Sequence, residues 1–304
     1  MSILVVGSLA LDSIETPFGK VNEALGGSAV YFSVAASFFA DVNLVGVVGQ
    51  DFPQEHVQFL QERGVDIQGL QREEGNTFRW KGNYGYDLNE ARTVGTDLNV
   101  FEMFNPTIPD PYCRSEYVFL ANIDPELQLR VLNQVHRPKI IACDTMNFWI
   151  ENKREALKET IRWVDIFIIN EAEVREFAQE ANLVKAARSI LSLGPKTLIV
   201  KQGNYGALMF TENSIFSAPA YPLEETMDPT GAGDTFAGGF MGHLANSHNL
   251  EDAGLRRAII FGSVMASFVV EQFSVNRLRS LSFSEIANRY GEFKQLTLFE
   301  DVES

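Results

Sequence analysis

Short apolar runs of strand length alternate with longer amphipathic or apolar segments along most of the chain. The short runs are nearly continuous, as in strands that are buried on both faces of a parallel sheet. They predict strands over residues 3–7, 42–49, 117–121, 139–143, 164–170 and 196–201. The longer segments predict helices over residues 28–40, 53–64, 125–135, 151–162, 171–178 and 182–193. This alternation predicts an α/β fold, a three-layer α/β/α sandwich around a mostly parallel sheet.

One block departs from this alternation. Residues 76–105 alternate aromatic, polar and β-branched positions and contain turn signals, which is typical of strands outside the parallel sheet. Residues 13–22 have a similar pattern. We expect the two segments to form a small antiparallel β-sheet lid, inserted at the sheet edge of a single domain that spans residues 1–304. Ordinary surface hairpins are the alternative interpretation.

A glycine-rich stretch, DPTGAGDTFAGG at residues 228–239, opens an apolar helix. The first turn of a helix has unpaired N–H groups and a partial positive charge, and small residues let an anion approach them closely. Residues 230–233 are therefore predicted to form an anion cradle. Asp234 has two interpretations. It can be a helix-start acid that favours the helix dipole, or it can accept a proton from a group that attacks the bound anion.

Polar residues follow several of the predicted strands. Ligands of open parallel sheets bind beyond the carboxyl ends of the strands, so these residues are expected on one rim. They are Asp12, Gly26, Gly27, Asp144, Asn147, Asn170, Glu173 and Lys201. Asn170 and Glu173 lie three residues apart at a helix start, a spacing that suits oxygen ligands of Mg²⁺. The same spacing is that of a capping box, which is the simpler interpretation of NEAE taken alone.

The chain is acidic, with 25 Lys and Arg against 40 Asp and Glu and a net charge of −15. No basic cluster indicates a nucleic-acid partner, and a phosphate site would need positive charge focused locally by metal ions, helix ends or a few side chains. No apolar run is long enough for a membrane span, and the first residues lack a signal-peptide pattern. Two cysteines make no disulfide framework. We expect a cytoplasmic protein whose acidic tail, residues 298–304, is frayed.

Motifs of several other enzyme classes are missing from the sequence. It contains no G-x-x-x-x-G-K-[ST], no G-x-G-x-x-G after a strand, no G-x-S-x-G and no H-E-x-x-H. These absences argue against a P-loop NTPase, a Rossmann dehydrogenase and an α/β-hydrolase.

Taken together and in order, the motifs resemble the ribokinase-like (PfkB) family of carbohydrate kinases. DPTGAGDTFAGGF resembles the family's C-terminal signature, GGSAVYFSVAA its N-terminal glycine motif, NEAE its N-x-x-E magnesium motif and KQGNYG its nucleotide-side turn. The resemblance covers nearly the whole chain. It implies an α/β sandwich with a β-lid and ATP-dependent phosphoryl transfer to a hydroxyl, with Mg²⁺ required and a monovalent cation such as K⁺ as a further candidate.

The resemblance also implies roles for individual residues. Asp234 would be the base that takes the acceptor's proton, and the backbone of Gly231, Ala232 and Gly233 would hold the developing phosphate charge. Asn170 and Glu173 would organise Mg²⁺, mainly through water. The residues implied on the acceptor side are Asp12, Gly26 and Gly27, and those implied on the nucleotide side are Asn170, Lys201, Gly203, Gly206 and Ser263.

The sequence departs from the family pattern at positions that bear on the acceptor. Tyr31 occupies the place of an asparagine that usually contacts the sugar. We predict that Tyr31 lines the pocket and favours an acceptor with an apolar or planar face; packing in the core is the alternative. Lys201 can reach a phosphate or lie at the surface. Arg79, Lys81 and Arg92 of the lid can contact a charged acceptor or remain solvated.

These features favour an ATP-dependent kinase for a sugar or related polyol. A nucleoside kinase is the alternative, because aromatic lid residues can stack a base: Phe78, Trp80, Tyr84 and Tyr86. A non-catalytic ligand sensor on the same fold is a third hypothesis. Asp234 speaks against it, since binding alone gains nothing from a carboxylate beside a phosphate. The expected partners are a small-molecule substrate and a second copy of the chain, paired through the lid edge. Neither a nucleic acid nor a membrane is an expected partner.

Overall fold

A computed structural model describes residues 1–89 and 91–298 of the chain. Its strands, in chain order, are β1 (Ser2–Val6), β2 (Ala10–Thr16), β3 (Gly19–Gly26), β4 (Asp41–Gly49), β5 (Val65–Glu73), β6 (Phe78–Tyr84), β7 (Ala91–Asp97), β8 (Tyr117–Leu120), β9 (Ile140–Asp144), β10 (Ile166–Asn170), β11 (Thr197–Lys201), β12 (Ala207–Thr211) and β13 (Ile215–Ala218). The acidic tail that we expect to be frayed covers residues 298–304, of which 299–304 lie outside the described residues.

The α-helices are α1 (Ser28–Ala36), α2 (Gln54–Glu62), α3 (Pro125–Leu132), α4 (Asn147–Asn152), α5 (Arg154–Ile161), α6 (Glu171–Ala178), α7 (Leu183–Leu191), α8 (Ala232–Ser247), α9 (Asp252–Val269), α10 (Asn276–Ser280) and α11 (Phe283–Leu296). Short 3₁₀ helices cover Asn99–Met103, Tyr112–Arg114 and Gly203–Tyr205. None of the helices in the described part of the chain is long and apolar enough to cross a membrane.

Nine strands form the large sheet, in the order β13-β12-β11-β10-β9-β8-β1-β4-β5. The pairs from β5 to β11 are parallel, whereas β12 and β13 pair antiparallel at one edge. The mostly parallel sheet is therefore confirmed. β5, β12 and β13 were not predicted. β5 and β13 are the edge strands of the sheet, and they mix polar and apolar positions instead of having the continuous apolar run of a central strand.

The sheet is covered on both faces, and the side chains of its strands alternate between two cores. In β1, Ile3 and Val5 belong to the core that includes buried residues of α1, α2, α8, α9, α10 and α11. Leu4 and Val6 belong to the core that includes buried residues of α3 to α7. This period of two confirms the three-layer α/β/α sandwich.

Two predicted helices differ in extent from the structure. The segment predicted at 28–40 is helical only to Ala36. The segment predicted at 151–162 is two helices, α4 and α5, that meet at Lys153. The ammonium group of Lys153 lies 2.6 Å from the Asp124 carboxylate and 3.0 Å from that of Glu126, so Lys153 joins this break to the start of α3.

A separate sheet of four strands, in the order β3-β2-β6-β7, forms the lid. It uses residues 10–26 and 78–97, so the predicted segment 13–22 was too short and 76–105 slightly too long. The prediction of an antiparallel sheet was wrong at its centre, because β2 and β6 pair in parallel, with Ala10 beside Phe78. β2 follows β1 and β6 follows β5, and β1 and β5 run in the same direction in the large sheet, so both lid strands begin from the carboxyl ends of parallel strands.

Candidate active site

The glycine-rich stretch forms a turn, residues 228–234, which we call the signature turn; Asp228 is buried and the other residues are partly exposed. The Asp228 carboxylate accepts hydrogen bonds from the backbone N–H of Thr230 at 2.9 Å and from that of Ser274 at 3.2 Å. Gly231 is the N-cap of α8 and has φ 75°, a left-handed conformation that favours glycine. A Cβ at Gly231 would also collide with the ring of Tyr31. Glycine is therefore needed at this position both for conformation and for space.

The predicted anion cradle lies at the N-terminus of α8, which is 16 residues long and begins at Ala232. The backbone N–H of Ala232 donates to the carbonyl of Pro229 at 3.2 Å, so one of the three cradle groups also holds the turn together. The helix start supplies the partial positive charge that an anion needs.

Asp234 stands in the first turn of α8, beside this cradle. Protein atoms surround its carboxyl group although the residue keeps some accessible surface. This burial raises the pKa of Asp234 to about 6, while the positive charge of Lys201 limits the rise. Asp234 is therefore mainly a carboxylate at neutral pH and a better proton acceptor than an exposed aspartate.

Lys201, at the end of β11, points into the same region, because its Nζ would lie 2.6 Å from a Cβ at Gly233. Burial raises the pKa of Asp144 and of Glu173, and the charge of Lys201 opposes both shifts. Asp144 is 3% exposed, and its Oδ1 has no hydrogen-bond partner among the described residues. The charge of Lys201 thus acts on the carboxyl groups of Asp144, Glu173 and Asp234.

Asn170 and Glu173 form a capping box at the start of α6, as the simpler interpretation of NEAE predicted. The Asn170 side chain accepts from the Glu173 N–H at 2.8 Å, and the Glu173 carboxylate accepts from the Asn170 N–H at 3.0 Å. The described residues contain no group of three or more His, Cys, Asp or Glu that could hold a metal ion. Metal binding by these two residues would therefore have to act mainly through water, and it stays a prediction.

On the acceptor side, Asp12 of β2 is 4% exposed. Burial, together with the charges of Asp228 and Asp234, raises its pKa to about 8, against the opposing effect of the hydrogen bond from the Gly27 N–H. A Cβ at Gly26 would collide with the Asp12 carboxyl group, so Gly26 leaves the space that this group occupies. Asp12 is therefore held next to the signature turn at an electrostatic cost.

Two tyrosines approach the signature turn. Tyr31 of α1 is buried, with its ring against Gly231, and its hydroxyl has no hydrogen-bond partner among the described residues. Tyr84 of the lid strand β6 lies opposite, and its hydroxyl is 3.1 Å from the Thr230 hydroxyl, which donates to it. Burial raises the pKa of Tyr84 to about 12, and the nearby carboxylates of Asp228 and Asp12 add to the shift. The lid thus contacts the signature turn directly.

A cavity of about 640 Å³ lies on the other side of the signature turn. All five residues predicted on the nucleotide side line it: Asn170, Lys201, Gly203, Gly206 and Ser263. Gly233 of the cradle and the lid residues Tyr86–Asn89 line it as well. The cradle therefore borders a cavity that is large enough for a nucleotide.

The remaining lid predictions have different outcomes. The Arg79 guanidinium group is engaged by Glu23 at 2.7 Å and by Asp51 at 2.8 Å, which ties the lid to the loop after β4. Lys81 and Arg92 are exposed. Among the aromatic residues predicted to stack a base, Phe78 stacks on Phe101, the Trp80 indole donates to Thr93, and Tyr86 is 90% exposed. Contact of any of these residues with an acceptor stays a prediction.

Sequence reasoning missed two features of the site. It did not assign the anchoring role of Asp228, although an aspartate two residues before the N–H that it accepts from is a common turn signal. It also missed the hydrogen bond between Thr230 and Tyr84. These residues are 146 positions apart, and no local pattern reports such a contact.

Comparison with known proteins places this site in a family. Residues 2–280 match the pfkB family of carbohydrate kinases. The chain is 30% identical over 267 residues to a cytidine kinase from Thermococcus kodakarensis, covering 85% of this chain and 95% of that protein. It is 28% identical over 161 residues to a nucleoside kinase from Methanocaldococcus jannaschii, covering 53% of this chain and 51% of that protein.

The solved structures that resemble the fold include a nucleoside kinase from Methanocaldococcus jannaschii, an archaeal member of the ribokinase family. The TM-score is 0.76 at 21% sequence identity, with 96% of this chain and 98% of that chain covered. Together with the sequence match over most of the chain, this shows that the protein belongs to the pfkB family of carbohydrate kinases. It is a phosphotransferase with the ribokinase fold.

Proposed function

We propose that this protein is an ATP-dependent nucleoside kinase, which transfers the γ-phosphoryl group of ATP to a hydroxyl of a nucleoside. The similarity to a cytidine kinase over 95% of that protein's length carries the choice of acceptor class. A plain sugar, which the family resemblance first favoured, has less support. The side proposed for the acceptor adds a physical argument, because the buried Asp12 carboxyl group and the hydroxyls of Tyr31 and Tyr84 offer hydrogen-bond partners for ribose hydroxyls beside aromatic surface.

Transfer itself would use the charge distribution around the signature turn. An acceptor oxygen forms a bond to the γ-phosphorus, the bond from that phosphorus to the bridging oxygen of ADP breaks, and the hydroxyl proton passes to the Asp234 carboxylate. Phosphoryl transfer has a loose transition state, so positioning and charge stabilisation account for most of the catalysis. The start of α8 and the Lys201 ammonium group would stabilise the charge on the transferred group.

The residues around Lys201 fit a magnesium-nucleotide. Asp144 has a buried carboxyl oxygen without a partner among the described residues, and Glu173 adds a second buried carboxyl group, so both could accept hydrogen bonds from the water ligands of a cation. Mg²⁺ bound with ATP would neutralise phosphate charge, and these carboxylates would orient its water ligands. A need for K⁺, a homodimer through the lid and a cytoplasmic location stay predictions.

A substrate panel scored by ADP release tests the proposal. The panel contains cytidine, uridine, adenosine, guanosine, ribose and fructose, each with ATP and Mg²⁺, and an Asp234→Asn variant measures background hydrolysis. We expect one nucleoside to exceed ribose and fructose in kcat/KM by at least about 10-fold, since a base adds apolar contacts that a bare sugar lacks. A free sugar that is used as well as or better than every nucleoside would contradict the assignment.

A further inference from the structure

The tip of the β6–β7 hairpin lies over the nucleotide-side cavity. We call residues Tyr86–Asn89 the lid tip. These residues line the cavity of about 640 Å³, together with Lys201, Gly206 and Ser263, which lie outside the lid. The lid therefore covers the cavity proposed for ATP as well as the side proposed for the acceptor.

Asn89 connects the lid tip to the turn on the floor of the cavity. Its Oδ1 accepts from the backbone N–H of Asn204 at 3.2 Å, and its Nδ2 is 3.3 Å from the Asn204 Oδ1. The adjacent Gly203 has φ 57°, and a Cβ there would collide with the Asn89 side chain. Glycine at 203 thus allows the lid tip to approach. Asp87 orients the Asn89 amide by accepting from its Nδ2 at 2.9 Å.

The same hairpin also contacts the acceptor side. The hydroxyl of Tyr84, at the end of β6, accepts from Thr230 of the signature turn at 3.1 Å. Five positions further along, Asn89 reaches the turn at Gly203 and Asn204. A single hairpin therefore contacts both the signature turn and the turn at Gly203 and Asn204. A lid position that satisfies one contact brings the other contact into reach.

We propose that the lid tip is part of the nucleotide site and that Asn89 is a positioning residue that links lid closure to nucleotide occupancy. The inference rests on the proposed binding of ATP in this cavity. If the closed lid contributes to nucleotide binding, an acceptor that favours closure must tighten nucleotide binding. By thermodynamic reciprocity the nucleotide must then tighten acceptor binding by the same factor.

The test is the Kd of Mg-ADP for wild-type protein and an Asn89→Ala variant, by isothermal titration calorimetry without acceptor. Loss of one or two hydrogen bonds should raise the Kd by about 2- to 10-fold. The ratio of Kd values without and with the best nucleoside of the panel should fall toward one. Val94→Thr is the matched control, because Val94 is an exposed lid residue on β7, outside the cavity lining. Its Kd should equal that of wild type.

An Asn89→Ala variant that binds Mg-ADP as tightly as wild type, or more tightly, would overturn the inference. Tighter binding would mean that the lid tip only obstructs entry. Asn89 is exposed, so the variant should fold; matching thermal melts and a second variant, Asn89→Ser, check this. Wild-type protein that binds no Mg-ADP would overturn the proposed function itself, a result distinct from an effect confined to Asn89.

Discussion

The signature turn and the lid tip face the same cavity, but they are built in opposite ways. The signature turn is held by the buried Asp228 carboxylate and by a glycine in a left-handed conformation. The lid tip is largely exposed, and its Asn89 side chain contacts Asn204 through hydrogen bonds of 3.2 and 3.3 Å. Groups that stabilise transition-state charge must be fixed beforehand, whereas an element that admits substrates must open at low cost. The first region is suited to chemistry and the second to access.

Replacing the proposed base should have the largest effect. Asp234→Asn keeps the size of the side chain but removes the proton acceptor, so kcat should fall by about 10²- to 10⁴-fold. The Kd of Mg-ADP should stay close to the wild-type value, because the cradle and Lys201 remain. Steady-state ADP release and calorimetry measure the two quantities.

A matched control is Asp252→Asn in the first turn of α9. Asp252 is also a helix-start acid, but it pairs with Arg256 and lies outside the site. Its replacement should leave kcat unchanged. If Asp234→Asn retains turnover within a few-fold of wild type, Asp234 is only a helix-start acid.

Asp12→Asn should weaken acceptor binding and stabilise the free protein. The pKa of Asp12 is about 8 in the folded chain, above its usual value of 3.8, so its contribution to stability is complete below about pH 4 and is lost as pH rises through 8. The asparagine removes this loss and should raise the Tm at pH 8 by roughly 2–4 °C, the shift that about 1 kcal/mol produces. Thermal melts at pH 5 and pH 8 provide the measurement. An equal Tm difference at both pH values would exclude this titration.

Tyr31→Phe separates the two interpretations of Tyr31. The tyrosine hydroxyl is buried without a partner, which costs stability unless an acceptor binds it. If it binds the acceptor, the acceptor KM should rise by about 2- to 10-fold, with stability unchanged or improved. An unchanged KM together with a higher Tm would assign Tyr31 to packing against Gly231.

Glu173→Gln should have the smallest effect, a rise of a few-fold in the Mg²⁺ concentration for half-maximal rate. Glutamine can still complete the capping box, so stability should change little. Glu285→Gln in the equivalent capping box of α11 is the control, because that helix start is remote from the cavity lining. If both variants need the same Mg²⁺ concentration for half-maximal rate, Glu173 caps α6 and has no role in Mg²⁺ binding.

The features that the sequence predicted correctly are those encoded locally. Continuous apolar runs mark the central strands, and the spacing of Asn170 and Glu173 alone predicts the capping box. Gly231 could be assigned to a helix start because an apolar segment with helical spacing follows it directly in the sequence.

Features that depend on distant contacts could not be predicted. The parallel pairing of β2 with β6 is one of them, because the direction of a strand in the lid is a matter of topology rather than of local pattern.

 Residues 17–77 separate β2 from β6, and they contain β3, α1, β4, α2 and β5. The direction in which β6 enters the lid is set by that path through the large sheet, which no local pattern records.

Side-chain contacts over long sequence distances were equally out of reach. Arg79 carries a charge that suits a bound anion, yet Glu23 and Asp51 engage it. Asn89 occupies an ordinary polar turn in the sequence, and its partner Asn204 is 115 positions away. Only the folded chain brings such pairs together.

The pH dependence of kcat tests the central claim most directly, namely that Asp234 is held as a base beside the transferred phosphoryl group. At saturating nucleoside and Mg-ATP, kcat reports the bound complex, so the ionisation of Asp12 in the free protein does not enter. Burial raises the pKa of Asp234 to about 6 in the free protein, and the net negative charge of bound Mg-ATP would favour its protonated form, so the pKa in the complex should be no lower. The account predicts that kcat falls about tenfold per pH unit below roughly pH 6 and that Asp234→Asn lacks this dependence. A wild-type kcat that stays level down to pH 5 would contradict it.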